Sequence, residues 1–140
     1  MIIKNFKNLS TSKTRADALK IINSGIESVL VENSMRKQIK INKNILKIQN
    51  HTWDLSNYEN IYVIGAGKAS SNMAKTLERI LKNRITSGIV IDTQNKLLKK
   101  IRVIKGSHPL PSLKNIKATN KIINLLKKCG RDDLIICLIS

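Results

Sequence analysis

A glycine-rich segment ending in lysine carries the strongest chemical signal in the sequence. Gly65-Ala66-Gly67-Lys68 follows an apolar run at residues 61–64 and precedes apolar residues at helical spacing. Glycines let the backbone turn sharply and let a ligand approach it without an intervening side chain. The start of a helix adds free N–H groups and the positive end of the helix dipole, which favour an anion. With the charge of Lys68, the segment predicts a binding site for a phosphate or carboxylate group.

This segment matches neither standard nucleotide-binding motif. The P-loop spacing G-x-x-x-x-G-K-[ST] is absent, and Ser70 stands where the dinucleotide fingerprint G-x-G-x-x-G has its third glycine. Asp92 ends the next predicted strand, about where a ribose-binding acid would be expected. Two alternatives therefore stay open: a dinucleotide-binding α/β domain, and a tight strand-to-helix turn whose lysine is only solvated.

The loop at residues 106–111, with the sequence GSHPLP, is a second candidate. Its two prolines stiffen the chain, and Pro109 pushes the preceding His108 toward extended geometry. A histidine held after a strand can donate a hydrogen bond to a ligand or carry a proton. The alternative is a loop histidine bonded to backbone. His51 has no partner pattern and is expected on the surface, and the two histidines and two cysteines predict no metal site.

The apolar run at residues 134–139 is typical of a central parallel strand, and Ser140 follows it. Cys137 lies within that run and is expected to be a buried packing residue. All three candidate segments thus follow a predicted strand. If these strands are parallel, the segments lie together at the carboxyl edge of one sheet, which is where open α/β folds bind ligands.

Strands and helices alternate in the second half of the chain, which predicts a layered α/β fold. Further strands are predicted at 89–91 and 101–104, and a helix is predicted after the capping residue Ser112. That helix should end near Gly130 in a left-handed turn. The join at residues 92–100 has no helical pattern and is shorter than the about twelve residues that a parallel crossover normally needs. Either the two strands are not parallel neighbours or their link is unusually short.

The N-terminal region predicts a helix followed by a small antiparallel unit. Apolar residues at helical spacing favour a helix over residues 14–32, with Thr14 as its cap. Gly25 lies inside that helix at some cost in stability, and we expect another backbone to pass close to it. Short apolar runs at residues 38–53 indicate a hairpin or meander.

The composition indicates one globular domain, or part of a larger one, with a strongly basic surface. The 140 residues are 41% hydrophobic and carry 26 Lys and Arg against nine Asp and Glu, a net charge of +17. No apolar run approaches the ~18 residues of a membrane span, and no secretion signal is recognisable. With only two cysteines, the expected location is a reducing cytoplasm. The lysines are spread along the chain and aromatic residues make up 3%, so a nucleic-acid-binding module is the last alternative.

Several motifs, in order and at matching spacings, resemble the N-terminal domain of the glycerate 2-kinase family, the family that carries a C-terminal MOFRL domain. The resemblance covers nearly the whole chain. The matching segments are RADAL at 15–19, DL at 54–55, YVIGAGKA at 62–69, GIV at 88–90, GSHPLP at 106–111 and DDLIICLIS at 132–140.

The resemblance implies a Rossmann-like three-layer α/β/α domain with a largely parallel sheet, preceded by an N-terminal helix and a small β-hairpin. Residues 1–140 would be the N-terminal portion of that domain, truncated before the family's next glycine-rich loop and lacking the MOFRL domain. The family transfers the γ-phosphoryl group of ATP to the 2-hydroxyl of D-glycerate, giving 2-phosphoglycerate, with a divalent metal that is usually Mg²⁺.

The resemblance also implies residue roles and partners. Lys68 matches the family's active-site lysine, and the residues implied around the substrate and its phosphates are Gly65, Ala66, Gly67, Ala69, His108 and Ser140. The implied partners are D-glycerate and ATP, with either a separately encoded C-terminal half or a second copy of the chain, and the isolated piece is expected to be inactive. Because some relatives are called hydroxypyruvate reductase, an NAD(P)-binding enzyme is the alternative.

Overall fold

The computed structural model describes residues 1–140 and contains two sheets connected by helices. The helices are α1 (Phe6–Leu9), α2 (Lys13–Val29), α3 (Val31–Gln38), α4 (Ser70–Leu81) and α5 (Leu113–Leu126). The strands are β1 (Ile39–Asn42), β2 (Ile45–Ile48), β3 (His51–Asp54), β4 (Asn60–Ala66), β5 (Ser87–Asp92), β6 (Ile101–Lys105) and β7 (Asp133–Ile139). Short 3-10 turns follow β3 at Leu55–Asn57 and α4 at Lys82–Arg84.

The main sheet has four parallel strands in the order β6-β5-β4-β7. This confirms the predicted α/β class and the parallel direction of the strands. β7 lies at one edge of this sheet, although its apolar run indicated a central strand. The prediction that Cys137 is buried is wrong: Cys137 is exposed, and Ile135 and Ile139 on the same side of β7 are 42% and 78% exposed. The helix on that face of the sheet, α5, packs on β5 and β6.

β5 and β6 are parallel neighbours joined without a helix. The unusually short link is therefore the correct one of the two alternatives that the sequence left open. The Lys100 N–H donates to Glu78 Oε1 of α4 at 2.6 Å, and the Lys100 carbonyl accepts from the Gly88 N–H at 3.2 Å. These two bonds tie the end of the link to α4 and to β5. Leu98 packs against the core, whereas Leu97 is fully exposed.

Helices cover both faces of the sheet. The core lies between α4 and one face, where Val63, Val90 and Leu77 are completely buried. Because successive side chains of a strand point to opposite faces, Ile91 faces away from α4. Ile91 borders Gly106 together with Asn115 of α5, and α5 packs on β5 and β6. The three-layer α/β/α arrangement is thereby confirmed.

Two helices occupy the region where a single helix over 14–32 was predicted. The chain is extended at Leu30 (φ −60°, ψ 134°), so α2 ends before it and α3 begins after it. The cap of α2 is Ser12, whose side chain accepts from the Arg15 N–H, and Thr14 already lies in the helix. The prediction of a backbone close to Gly25 is wrong, because no atom lies within 4 Å of a Cβ at that position.

The second sheet is a three-stranded antiparallel meander in the order β1-β2-β3. Of the two alternatives expected over residues 38–53, a hairpin or a meander, the meander is therefore the correct one. Leu46 is buried in the core and Trp53 packs against it. His51 is exposed, as predicted, and its ring lies 5.9 Å from that of Trp53.

The predicted cap of α5 is confirmed, but its predicted end is wrong. Ser112 and Asn115 form a capping box in which each side chain bonds the backbone of the other residue. After α5, Gly130 does not take the left-handed conformation, since Gly67 is the only glycine with positive φ. The Gly130 N–H instead donates to Asp133 at 2.7 Å, and this bond leads the chain directly into β7.

Candidate functional site

The carboxyl ends of the four parallel strands bring the three candidate segments to one edge of the sheet, which we call the carboxyl edge. Backbone hydrogen bonds continue the sheet beyond each strand end. The Gly67 N–H donates to Ile91 at 3.1 Å, the Gly106 N–H to Asp92 at 2.8 Å and the Ser140 N–H to Ala66 at 3.3 Å. The segments that follow β4, β6 and β7 are therefore neighbours in space, as the parallel arrangement predicted.

Two glycines let β4 and the turn after it lie close to β7 and Ser140. Gly65 lies in β4, where a Cβ would overlap the backbone of Leu138. Gly67 has φ +128°, and a Cβ there would overlap the carbonyl and hydroxyl oxygens of Ser140. Backbone with this φ is essentially restricted to glycine. Close packing against β7 and Ser140 thus explains why both positions are glycine.

Three N–H groups at the start of α4 already have partners within the chain. The Ala69 N–H donates to Ser140 Oγ at 2.9 Å and the Ser71 N–H to Asp92 Oδ2 at 2.7 Å. The Ser70 N–H donates to the Gly67 carbonyl at 3.2 Å. This differs from the free helix start expected from the sequence, since a carboxylate and a hydroxyl of the chain occupy these donors.

Asp92 caps α4 and is not available for a ribose. The residue is 3% exposed, and Oδ1 accepts from the Gln94 N–H at 3.1 Å and from Thr93 Oγ1 at 3.3 Å. Burial by itself would raise the pKa of Asp92, but the hydrogen bonds from Ser71, Gln94 and Thr93 outweigh burial and hold this pKa below its usual value. The residue is thus an ionised acid that balances the positive end of α4.

Lys68 is the positive charge that remains free at this turn. It lies between Gly67 and Ala69, the residue that precedes α4. Its side chain is exposed and forms no hydrogen bond or ion pair with the rest of the chain. A free ammonium group at the carboxyl edge can bind a phosphate or carboxylate of a ligand.

His108 lies at the same edge, in a loop whose shape Asn115 stabilises. The Ser107 N–H donates to Asn115 Oδ1 at 2.9 Å, and Asn115 Nδ2 donates to the Ser107 carbonyl at 3.2 Å. The His108–Pro109 peptide bond is cis. The His108 side chain is exposed and bonds no backbone group, so the alternative of a histidine satisfied by its own loop is wrong.

A polar cavity of about 400 Å³ lies beside His108. Three of its residues were not predicted from sequence patterns: Thr93, Lys105 and Lys114. One signal could have revealed Lys114: a lysine in the first turn of a helix opposes the helix dipole, where acidic residues are favoured. Lys105 is the last residue of β6, and no local signal marks it, because only the arrangement of the strands places it at the cavity.

The side chains of this chain do not form a metal site on their own. No group of three or more His, Cys, Asp or Glu side chains converges. Mg²⁺ in nucleotide sites usually takes one or two carboxylates together with phosphates and water, and the buried Asp92 carboxylate is already bonded within the chain. The side chains at the carboxyl edge therefore do not by themselves fit Mg²⁺. None of the helices is long and apolar enough to span a membrane.

Comparisons with known proteins identify a family and a fold. Residues 17–140 match the family described as a domain of unknown function, DUF4147. A putative hydroxypyruvate reductase of Agrobacterium vitis is 40% identical over 80 residues, which are 56% of this chain and 21% of that protein. A glycerate 2-kinase of Picrophilus torridus is 26% identical over 142 residues, covering 99% of this chain and 32% of the kinase.

A glycerate 2-kinase of Pyrococcus horikoshii is 26% identical over 128 residues, covering 90% of this chain and 28% of the kinase. A crystal structure of a protein from Pyrococcus horikoshii OT3 superposes with a TM-score of 0.79 at 23% identity, covering 91% of this chain and 29% of that one. This likeness shows that the fold is shared. The chain spans a third or less of the length of these relatives.

Proposed function

This chain belongs to the DUF4147 family, the N-terminal domain of the glycerate 2-kinases, and on that basis we propose that it forms one wall of an active site in which ATP phosphorylates D-glycerate to 2-phosphoglycerate. The observation that carries the proposal is the unpaired Lys68 ammonium at the carboxyl edge of a parallel sheet. Open α/β folds bind their ligands at this edge.

Lys68 has the charge and the place that phosphoryl transfer requires. The transferring group is stabilised mainly by positioning and by positive charge near its oxygens. We assign Lys68 to the substrate carboxylate or to the transferring phosphoryl group, where its ammonium lowers the repulsion between the two anions. Because the Asp92 carboxylate caps α4 from inside, the positive end of the helix contributes less than the lysine.

The residues next to Lys68 hold its turn close to β7. Gly65 and Gly67 allow β7 to approach, and Ala66 and Ala69 on either side of Gly67-Lys68 bond the backbone and the hydroxyl of Ser140. The Ser140 hydroxyl accepts from the Ala69 N–H at 2.9 Å, so its own proton is free to be donated to a phosphate oxygen. We assign His108 to a hydrogen bond with a phosphate group, donated from the neighbouring loop.

The rest of the active site lies outside these 140 residues in this proposal. The chain covers 28% and 32% of the two archaeal glycerate 2-kinases, so a C-terminal half, encoded with it or separately, or a second copy would close the cleft. The phosphates would bring Mg²⁺ with them, and additional carboxylates would come from that half. We place the enzyme in the cytoplasm.

A change of Lys68 tests the proposal. We fuse the C-terminal part of the Picrophilus torridus kinase after residue 140 and measure ADP release with ATP, Mg²⁺ and D-glycerate. Lys68→Ala should lower kcat about 100-fold or more, the effect of removing one stabilising group from a transition state. Lys75→Ala, a change of an exposed lysine within α4, should leave the rate within twofold. Near-normal kinetics of Lys68→Ala would remove this residue from the mechanism.

The isolated chain provides a second measurement. It should show negligible turnover but should bind D-glycerate or ATP weakly, with smaller affinity in Lys68→Ala than in Lys75→Ala. Robust turnover by the 140 residues alone would contradict the proposal that they form only one wall.

A dinucleotide-dependent reductase is the second candidate, because the relative from Agrobacterium vitis is named a putative hydroxypyruvate reductase. Asp92 does not favour a dinucleotide, since both of its carboxylate oxygens accept hydrogen bonds from the chain itself and are not free to bind a ribose. Titration with NADH and with ATP separates the two candidates.

Nucleic-acid binding has less support, because the aromatic side chains that could stack on bases are half-buried. They are Phe6, Trp53, Tyr58 and Tyr62.

A further inference from the structure

We propose that the polar cavity beside His108 is a second anion site, which binds the polyphosphate of the nucleotide while Lys68 serves the transferred group and D-glycerate. This inference rests on the proposed phosphoryl transfer and adds a location for the phosphate donor. We call the cavity the β6–α5 pocket. It has a volume of about 400 Å³ and is lined by Thr93, Lys105, Gly106, Ser107, His108 and Lys114.

The β6–α5 pocket gathers basic side chains without any acid. Lys105, His108 and Lys114 all line it, and none of their three side chains forms a hydrogen bond or an ion pair with the chain. Asp92, which precedes the lining residue Thr93, is buried and directs its oxygens to Ser71, Gln94 and Thr93. The charges of two lysines that face one cavity repel each other unless an anion enters it.

The number of basic groups favours a polyphosphate over a single carboxylate. One lysine is sufficient for the single charge of a carboxylate, whereas a triphosphate distributes several charges over many oxygens. Lysine ammonium groups are common phosphate ligands. The first turn of α5 also holds Lys114 without an acidic residue, so an anion there would interact favourably with both the lysine and the helix dipole.

The pocket is held in shape before any ligand enters. Asn115 bonds the N–H and the carbonyl of Ser107 at 2.9 and 3.2 Å, and the hydroxyls of Ser107 and Ser112 lie 2.6 Å apart. The Gly106 N–H is bonded to the end of β5. A preformed loop loses little conformational entropy when it binds an anion.

The distance to Lys68 suits one extended substrate. β5 lies between β4 and β6, and neighbouring strands are about 4.8 Å apart, so the ends of β4 and β6 are separated by about 10 Å. A triphosphate whose first phosphates bind in the β6–α5 pocket can therefore direct its terminal phosphoryl group along the carboxyl edge toward Lys68.

The test uses inorganic tripolyphosphate as the probe and the 140-residue chain as the protein. Isothermal titration at 0.15 M salt, where the screening length is about 8 Å, compares two double variants with equal change in charge. Lys105→Gln with Lys114→Gln removes both pocket lysines. Lys117→Gln with Lys121→Gln changes exposed lysines of α5 that do not line the pocket.

The pocket variant should bind tripolyphosphate at least tenfold more weakly than the unmodified chain, and the control should lose less than twofold. Equal loss in both variants would assign binding to the overall basic charge and overturn the inference, as would no loss in the pocket variant. Competition between D-glycerate and tripolyphosphate for this pocket would overturn it as well, in favour of a carboxylate site. Failure of the proposed kinase function would appear instead as unchanged kinetics of the Lys68→Ala variant. The titration does not measure those kinetics, so the two failures can be told apart.

Discussion

Replacing Gly67 by alanine would strain the turn between β4 and α4 in two separate ways. The backbone has φ +128° there, a conformation that costs a residue with a side chain about 1–3 kcal/mol. The new Cβ would also overlap the carbonyl and hydroxyl oxygens of Ser140, and overpacking of this kind costs about 1–3 kcal/mol. Because Ser140 is exposed and can move, we expect a net loss of about 2–3 kcal/mol in the free energy of unfolding.

Movement of Ser140 would have a local consequence as well. Its hydroxyl accepts from the Ala69 N–H at 2.9 Å, and this hydrogen bond would be lost when β7 shifts away from the turn. The segment that holds Lys68 would then be less ordered. Gly67→Ala should therefore also weaken anion binding at Lys68, while the β6–α5 pocket keeps its affinity.

Gly25→Ala is the matched control for this change. Gly25 lies within α2 and has no atom within 4 Å of a Cβ, so alanine there should increase stability by about 0.5–1 kcal/mol through its better helix propensity. Urea unfolding, followed by circular dichroism and by the fluorescence of the single tryptophan, Trp53, measures both variants. If Gly67→Ala stays within about 0.5 kcal/mol of the unmodified chain, the strain derived for this turn is wrong.

Two further changes test the cap of α4 and the core. Asp92→Asn should cost about 1–2 kcal/mol at pH 7, because it removes a buried charge that interacts with the positive helix end. Since the pKa of Asp92 is lowered by folding, its contribution is complete above the unfolded pKa of about 4 and is lost as the pH falls through the folded value. The stability difference between the two proteins should thus shrink below pH 4 in urea titrations, and a difference that stays constant down to pH 2 contradicts this role. Leu77→Ala, at a fully buried position, should lower the free energy of unfolding by about 2–5 kcal/mol. Leu97→Ala, at a fully exposed position, should change it by less than about 0.5 kcal/mol. Similar unfolding midpoints for the two variants would refute the assigned core.

Elements with strong local signals were predictable from the residues alone. The main-sheet strands were placed by apolar runs, and α5 was placed by Ser112, whose hydroxyl caps the helix regardless of what packs around it. The wrong predictions also came from local patterns. Periodicity over 14–32 did not reveal the extended backbone at Leu30, because apolar spacing continues through a single residue that leaves the helix.

Contacts between distant segments were the part that local patterns could not predict. Asp92 has the position of a ribose-binding acid in the sequence, yet its carboxylate accepts from the Ser71 N–H, 21 residues earlier. Lys105 and Lys114 are two ordinary lysines among many until β6 and α5 place them around one cavity.

The sequence by itself determined that this protein is a layered α/β domain with a glycine-rich turn and a lysine after its first parallel strand. Hydrophobic periodicity and the special backbone freedom of glycine are properties of neighbouring residues, so they can be read without a structure. Only the tertiary structure decided that β4 lies between β5 and β7, that Cys137 is exposed, and which donors of α4 are occupied by Asp92 and Ser140. These features depend on strand order and on contacts between distant segments, whose free energies are not encoded in any one stretch of the chain.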